Sequence, residues 1–195
     1  MTSPVAGFKR LLEALEGLGI AYMVGGSLAS SIHGIVRATR DIDLVADIRE
    51  EHIDPLAAEL RGGFYADPAF MRECLRRGRM FNLIHHGSSY KFDIYPLSRE
   101  PFHQSEFARR ALAEFRLEGE IVAFYVASAE DTILMKLAWY QSGNRVSERQ
   151  WGDVLDVVRV KRDLLDLGYL RRWAGPLGVE DLLEEALKAP GGSHA

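Results

Sequence analysis

The sequence predicts a mixed α/β (α+β) protein: a mixed β-sheet flanked by helices, followed by a C-terminal helical region. Three observations predict it. Residues 20–24, 41–46, 80–86, 90–95, 112–118 and 121–126 are short apolar or alternating runs of strand character. Stretches with apolar residues at helical spacing separate several of them. From Ser128 onward the strand runs cease and only helical stripes remain.

The elements follow in order. Ser3-Pro4 reads as an N-cap and a first-turn proline, and Val5, Phe8, Leu11, Leu12, Leu15 and Leu18 continue a helix that Gly19 stops. A strand over 20–24 leads to Gly25-Gly26, and Ser27 is placed to cap a brief helix ending near Gly34. A strand over 41–46 precedes a polar helix that runs to about Leu60. Asp67-Pro68 opens another helix towards Arg77. The runs on either side of Gly87-Ser88-Ser89 form one hairpin, and those on either side of Gly119 form a second. Ser128/Asp131 and Ser147/Gln150 each have the spacing of a capping box ahead of an apolar stripe. Helices then continue to about Lys188. The expected organisation is therefore an α/β core over 1–127, a helical region over 128–188 and a disordered tail over 189–195.

The 195 residues, 47% hydrophobic and 27% charged, suit a globular protein with a proper core. A net charge of −4 argues against a chain that binds nucleic acid through bulk electrostatics. Arg72, Arg76, Arg77 and Arg79 read as a solvated helix face. No apolar run has the length of a membrane span, and no signal-peptide pattern opens the chain. The lone Cys74 precludes an internal disulfide and fits a reducing compartment. The expected location is the cytoplasm, with no membrane partner.

The chemistry gathers around Asp41-Ile42-Asp43. On a strand, residues i and i+2 share a face, so both carboxylates project together while Ile42 and Leu44 face the other way. Anions this close repel unless a cation joins them. A hard divalent ion such as Mg²⁺ accepts their oxygens and keeps positions open for phosphate. The Gly25-Gly26-Ser27 turn ahead of a helix offers backbone N–H groups to that phosphate. Asp93, on the strand Lys91-Phe92-Asp93-Ile94-Tyr95, joins the pair if its strand lies beside 41–46. Three carboxylates then suit two ions, Mg²⁺ or alternatively Mn²⁺. Structural alternatives stand beside this reading: Arg37 and Arg40 are charge partners within reach of Asp41 and Asp43, and Lys91 is another. Gly17-Leu18-Gly19 precedes its strand, which is the wrong order for a dinucleotide fingerprint.

Gly25-Gly26-Ser27, His33-Gly34, the Arg37-x-Thr39-x-Asp41-x-Asp43 run, Asp93, Lys136-Leu137 and the Arg149…Asp153…Asp156 helix together resemble the DNA polymerase beta-type nucleotidyltransferase superfamily. The likeness is to small bacterial members related to abortive-infection toxin nucleotidyltransferases. It implies that Asp41, Asp43 and Asp93 are catalytic and hold metal. It also implies that Gly25, Gly26, Ser27, Arg40 and Lys136 bind the nucleotide phosphates. The sequence leaves the catalytic roles of Arg149 and Asp153 open, and offers Trp139, Tyr140, Trp151 and Arg149 as stacking or hydrogen-bonding candidates.

The function so implied is transfer of a nucleoside monophosphate from an NTP to a hydroxyl, with release of pyrophosphate. The acceptor, be it a small molecule, a protein or an RNA 3′ end, is left open. A toxin that modifies tRNA under a cognate antitoxin is the second reading, and a non-catalytic nucleotide-binding module is the third.

Overall fold

The computed structural model describes residues 4–37, 39–88 and 90–189. The expected cap Ser3, the turn residue Ser89 and residues 190–195 of the expected tail lie outside the described residues. In chain order the elements are α1 (Pro4–Gly17), β1 (Tyr22–Val24), α2 (Gly26–His33), β2 (Asp41–Ala46), α3 (Glu50–Glu59), β3 (Phe64–Tyr65) and α4 (Pro68–Arg76). They continue as β4 (Phe81–His85), β5 (Lys91–Pro96), α5 (Pro101–Ala108), β6 (Ala111–Leu117) and β7 (Glu120–Val126). Four helices complete the chain: α6 (Ala129–Ser142), α7 (Glu148–Lys161), α8 (Leu167–Leu177) and α9 (Glu180–Lys188). The chain forms two compact units, residues 1–25 with 38–126, and residues 26–37 with 127–195.

The first unit holds a seven-stranded sheet in the order β3-β4-β5-β2-β1-β7-β6. The pairs β2/β5 and β1/β7 are parallel and the other neighbours antiparallel. Alternation sets its two faces. Ile42 lies opposite Phe92 and Leu44 opposite Ile94, and all four are 0% exposed. The apolar stripe of α1 covers this face: Phe8 stacks on Phe92 at 5.9 Å between ring centroids and meets Phe124 edge-on at 5.3 Å. Each such side chain contributes about 1.5–3 kcal/mol on burial. The intervening residues Asp41, Asp43, Lys91 and Asp93 therefore emerge on the opposite face.

Local chemistry explains the boundaries. Asp67 caps α4, its Oδ1 accepting from the N–H groups of Ala69 (2.9 Å) and Phe70 (3.3 Å). The β6–β7 hairpin turns through Glu118 (φ 47°) and Gly119 (φ 90°), and a two-residue turn with positive φ at both positions matches strand twist. Two elements, β3 and α5, have no counterpart in the sequence reading. The first is two residues long, and α5 offers only Phe102 and Phe107 as apolar anchors, too few for a periodic signal.

The second unit is helical. Ser128 caps α6 and Ser147 caps α7, accepting from the N–H groups of Asp131 (3.1 Å) and Gln150 (3.3 Å). Ile133, Leu134 and Leu137 of α6 and Val154, Val157 and Val158 of α7 are buried. The Tyr169 hydroxyl donates to Asp131 Oδ1 at 2.6 Å, tying α8 to the first turn of α6. Helix α2 begins at Gly26, so Ser27 lies inside the first turn rather than capping it. Beyond its end, a Cβ on Gly34 would lie 3.1 Å from the Val157 backbone nitrogen, so the two backbones approach closely there and a side chain would need one of them to give way.

Replacing Phe92 by alanine should remove about 3–5 kcal/mol of unfolding free energy in a urea titration, since it opens a cavity between α1 and the sheet. A loss below about 1 kcal/mol would place the core of this unit elsewhere.

Candidate active site

Strand register brings the three aspartates to one face of the first unit. Asp43 sits directly opposite Asp93, and Asp41 directly opposite Lys91. Neighbouring strands lie about 4.8 Å apart, so the paired carboxylates start from adjacent backbone positions. Exposure is graded along the set: Asp93 is buried, Asp43 half-buried and Asp41 exposed. The Lys91 ammonium lies 2.9 Å from Asp93 Oδ2. That hydrogen bond raises the lysine's pKa against the opposing effect of burial, and the charges of Asp93, Asp41 and Asp43 add to the rise. Tyr95, two residues beyond Asp93, has its hydroxyl pKa pushed up to about 12, first by burial and then by Asp43 and Asp93. The face is thus a local concentration of negative charge, and Lys91 answers part of it at Asp93.

Asp93 Oδ1 is buried without a hydrogen-bond partner. An orphaned carboxylate oxygen in a cluster of hard oxygen donors is what a divalent cation satisfies, so these residues fit such an ion. No group of three His, Cys, Asp or Glu side chains among the described residues stands ready-made around an ion position. Lys91 supplies a cationic partner to Asp93. The Gly25 N–H donates to the Asp43 carbonyl at 2.9 Å, which ties the glycine turn to the strand. A Cβ on Gly25 would meet nothing within 4 Å, so the space beside that turn is open. Arg40 is exposed, and its carbonyl accepts from the Lys91 N–H at 3.2 Å, extending the β2–β5 ladder by one residue.

The second unit carries its own polar cluster. Lys136 Nζ lies 2.8 Å from Asp153 Oδ2, with side chains 6% and 3% exposed. The Arg37 guanidinium pairs with the other oxygen of Asp153. Arg37 is therefore the partner of a residue far along the chain, not of Asp41 as sequence proximity allowed. The expected phosphate ligand Lys136 is engaged by a carboxylate whose role the sequence left open. Arg149 donates to Ser27 Oγ at 2.7 Å, holding the first turn of α2 to α7. His33 Nε2–H donates to the Ala127 carbonyl at 2.7 Å, and burial holds the imidazole below its ordinary pKa. Tyr140 and Trp151 stack at 5.5 Å, so these two stacking candidates are already paired with each other.

A mixed sheet with an aspartate pair on one strand, a third aspartate on the parallel neighbour and a glycine turn at the end of β1 is the arrangement that the resemblance to nucleotidyltransferases implies. Solved structures of one antibiotic-resistance nucleotidyltransferase share the fold. The solution structure of the antibiotic-resistance factor ANT(2'')-Ia matches at a TM-score of 0.50 and 17% identity over 93% of this chain and 97% of that one. The crystal structure of ANT(2'')-Ia with adenylyl-2''-tobramycin matches at 0.50 and 16% identity over 96% and 100%. The lincomycin-bound lincosamide antibiotic adenylyltransferase LnuA gives 0.49 and 16% over 78% and 94%. Among curated proteins, none matches the sequence. The family profile described as nucleotidyl transferase AbiEii toxin, type IV TA system, matches residues 10–194, and the chain belongs to that family.

Two outcomes follow from the helical cluster. Asp153→Ala strands the buried Lys136 charge and should cost about 3–5 kcal/mol of stability by chemical denaturation. His33 should titrate below its ordinary 6.5 in an NMR pH series. Because the unfolded chain then binds the proton more tightly, stability is fully present above pH ~6.5 and declines as pH falls towards the folded value. His33→Gln should flatten that part of the profile in thermal melts.

Proposed function

We propose that this nucleotidyltransferase is metal-dependent and moves a nucleoside monophosphate from an NTP to a hydroxyl group, releasing pyrophosphate. The observation that carries the reading is the β2/β5 register, which sets Asp43 beside Asp93 with Asp41 two residues away on the same face. Asp41, Asp43 and Asp93 are the proposed ligands for two Mg²⁺ ions, with Mn²⁺ as a substitute. Bound there, the ions would supply neutralisation of phosphate charge and a lowered pKa for the attacking hydroxyl. Asp93, the most buried of the three, accepts the proton that the acceptor hydroxyl gives up. That hydroxyl oxygen forms a bond to the α-phosphorus as the bond from phosphorus to the α,β-bridging oxygen breaks, and pyrophosphate leaves with the electron pair.

Gly26 and Ser27 present N–H groups at the start of α2, and Gly25 contributes by the absence of a side chain. Arg40 adds an exposed cation beside the aspartate strand. Membership in a toxin family supports a second reading, in which the acceptor is an RNA 3′ end such as that of tRNA and a cognate antitoxin restrains the enzyme.

Incubation with labelled NTPs, Mg²⁺ and cell extract should label an acceptor, and Asp43→Ala should lower the yield at least ~10²-fold. No labelling with any NTP, or an unchanged yield in the variant, would remove the proposal. For the toxin reading, expression should arrest growth and Asp41→Ala should relieve the arrest. Harmless expression of the unaltered chain would count against it.

A further inference from the structure

The sheet has two edges, and they are treated differently. At one end β3 is two residues long, too short to template another strand. At the other end β6 runs for seven residues, Ala111–Leu117, without proline, glycine or a break in its pairing with β7. Among the described residues no strand lies beyond it. Its residues are exposed or half-exposed throughout. An edge this long and regular leaves a row of backbone donors and acceptors open to another chain.

The hairpin turn fixes which groups point outward. The two-residue turn at Glu118-Gly119 closes on the pair Leu117/Glu120, which exchanges both backbone hydrogen bonds. Leu117, Phe115 and Ala113 therefore direct their N–H and C=O groups towards β7. Arg116, Glu114 and Leu112 direct theirs away from the sheet. The side chains divide as well. Phe115 and Ala113 lie opposite the buried Val122 and Phe124, whereas Glu114 and Arg116 share the outer face with Ala123 and Ile121.

The geometry points to a second copy of this chain as the occupant of that edge, joined β6 to β6 in antiparallel fashion about a two-fold axis through Phe115. In this register Glu114 faces Arg116 of the other copy, and Arg116 faces its Glu114. Both residues are among those with outward backbone groups, so each opposite-charge pair coincides with a hydrogen-bonded backbone pair. Phe115 meets its own symmetry mate at the narrower non-hydrogen-bonded position, and Ala113 meets Leu117. Sliding by two residues in one direction sets Glu114 against Glu114, and in the other Arg116 against Arg116. A slide by one residue mismatches donors and faces together. Among these alternatives, only the two-fold about Phe115 pairs opposite charges. Arg116 also donates one guanidinium N–H to the Gly119 carbonyl at 2.9 Å, which leaves further donors for a carboxylate.

A join through one strand buries less than the ~1,200 Å² typical of stable complexes, so the dimer is weak and concentration-dependent. Sedimentation of the full chain at low salt, from about 10 to 500 µM, should show the 21.9 kDa monomer giving way to a dimer. Glu114→Arg and Arg116→Glu, each alone, should weaken self-association at least about tenfold, because each turns two attractive pairs into two repulsive ones. The double variant Glu114→Arg with Arg116→Glu should restore it. An equimolar mixture of the two single variants should form a mixed dimer in which every pair is again complementary. A monomer at all concentrations overturns the inference, as does a dimer indifferent to the single reversals or an edge occupied only by a strand from another protein. The readout is mass alone, so its failure leaves the transferase proposal untouched.

Discussion

Everything placed on the candidate catalytic face depends on the parallel pairing of β2 with β5. The pairing is held from behind: Ile42, Leu44, Phe92 and Ile94 interlock under α1, and strand periodicity then leaves Asp41, Asp43 and Asp93 no direction but forward. A slip of one residue would drive charges into the apolar layer, at a cost that far exceeds any gain from alternative hydrogen bonds. The chemistry of one face is thus specified by the hydrophobicity of the other.

That arrangement concentrates like charge, and the surroundings show how the fold tolerates it. Lys91 precedes Asp93 by two residues and so shares its face, where its ammonium offsets part of the repulsion. One oxygen of Asp93 is nevertheless left without a hydrogen bond. The Lys91 pKa is raised first by its hydrogen bond to Asp93, and that of Tyr95 first by burial, with the neighbouring carboxylates adding to both. That Asp93 oxygen is the observation behind the proposed metal site.

How much of this was legible in the sequence varies with the distance over which each feature is encoded. The Asp41–Ala46 strand, both hairpins and the caps at Asp67, Ser128 and Ser147 are local signals, and their elements appear within a residue or two of expectation. The adjacency of β5 to β2 needed a condition that sequence alone could state but not meet. β3 and α5 escaped because two residues carry no period and two phenylalanines carry little. The engagement of Asp153 by Lys136 and Arg37 was invisible for another reason. Arg37 and Asp153 lie 116 positions apart, and nothing in the residue types says which carboxylate a lysine will meet. The Arg149–Ser27 bond, spanning 122 positions, is of the same kind.

The segment from Gly26 to Arg37 belongs to the helical unit although the chain on both sides of it belongs to the sheet unit. The polypeptide passes from one to the other at residues 25/26, 37/38 and 126/127. Ser27, His33, Gly34 and Arg37 all find their partners on α6, α7 or the residue that leads into them. The C-terminal helices are therefore not a cassette that recombination could exchange at a single junction. Any homologue grafted after residue 126 would bring foreign helices and lose the match to residues 26–37, which ties the evolution of the C-terminal helices to a short stretch well before them in the sequence.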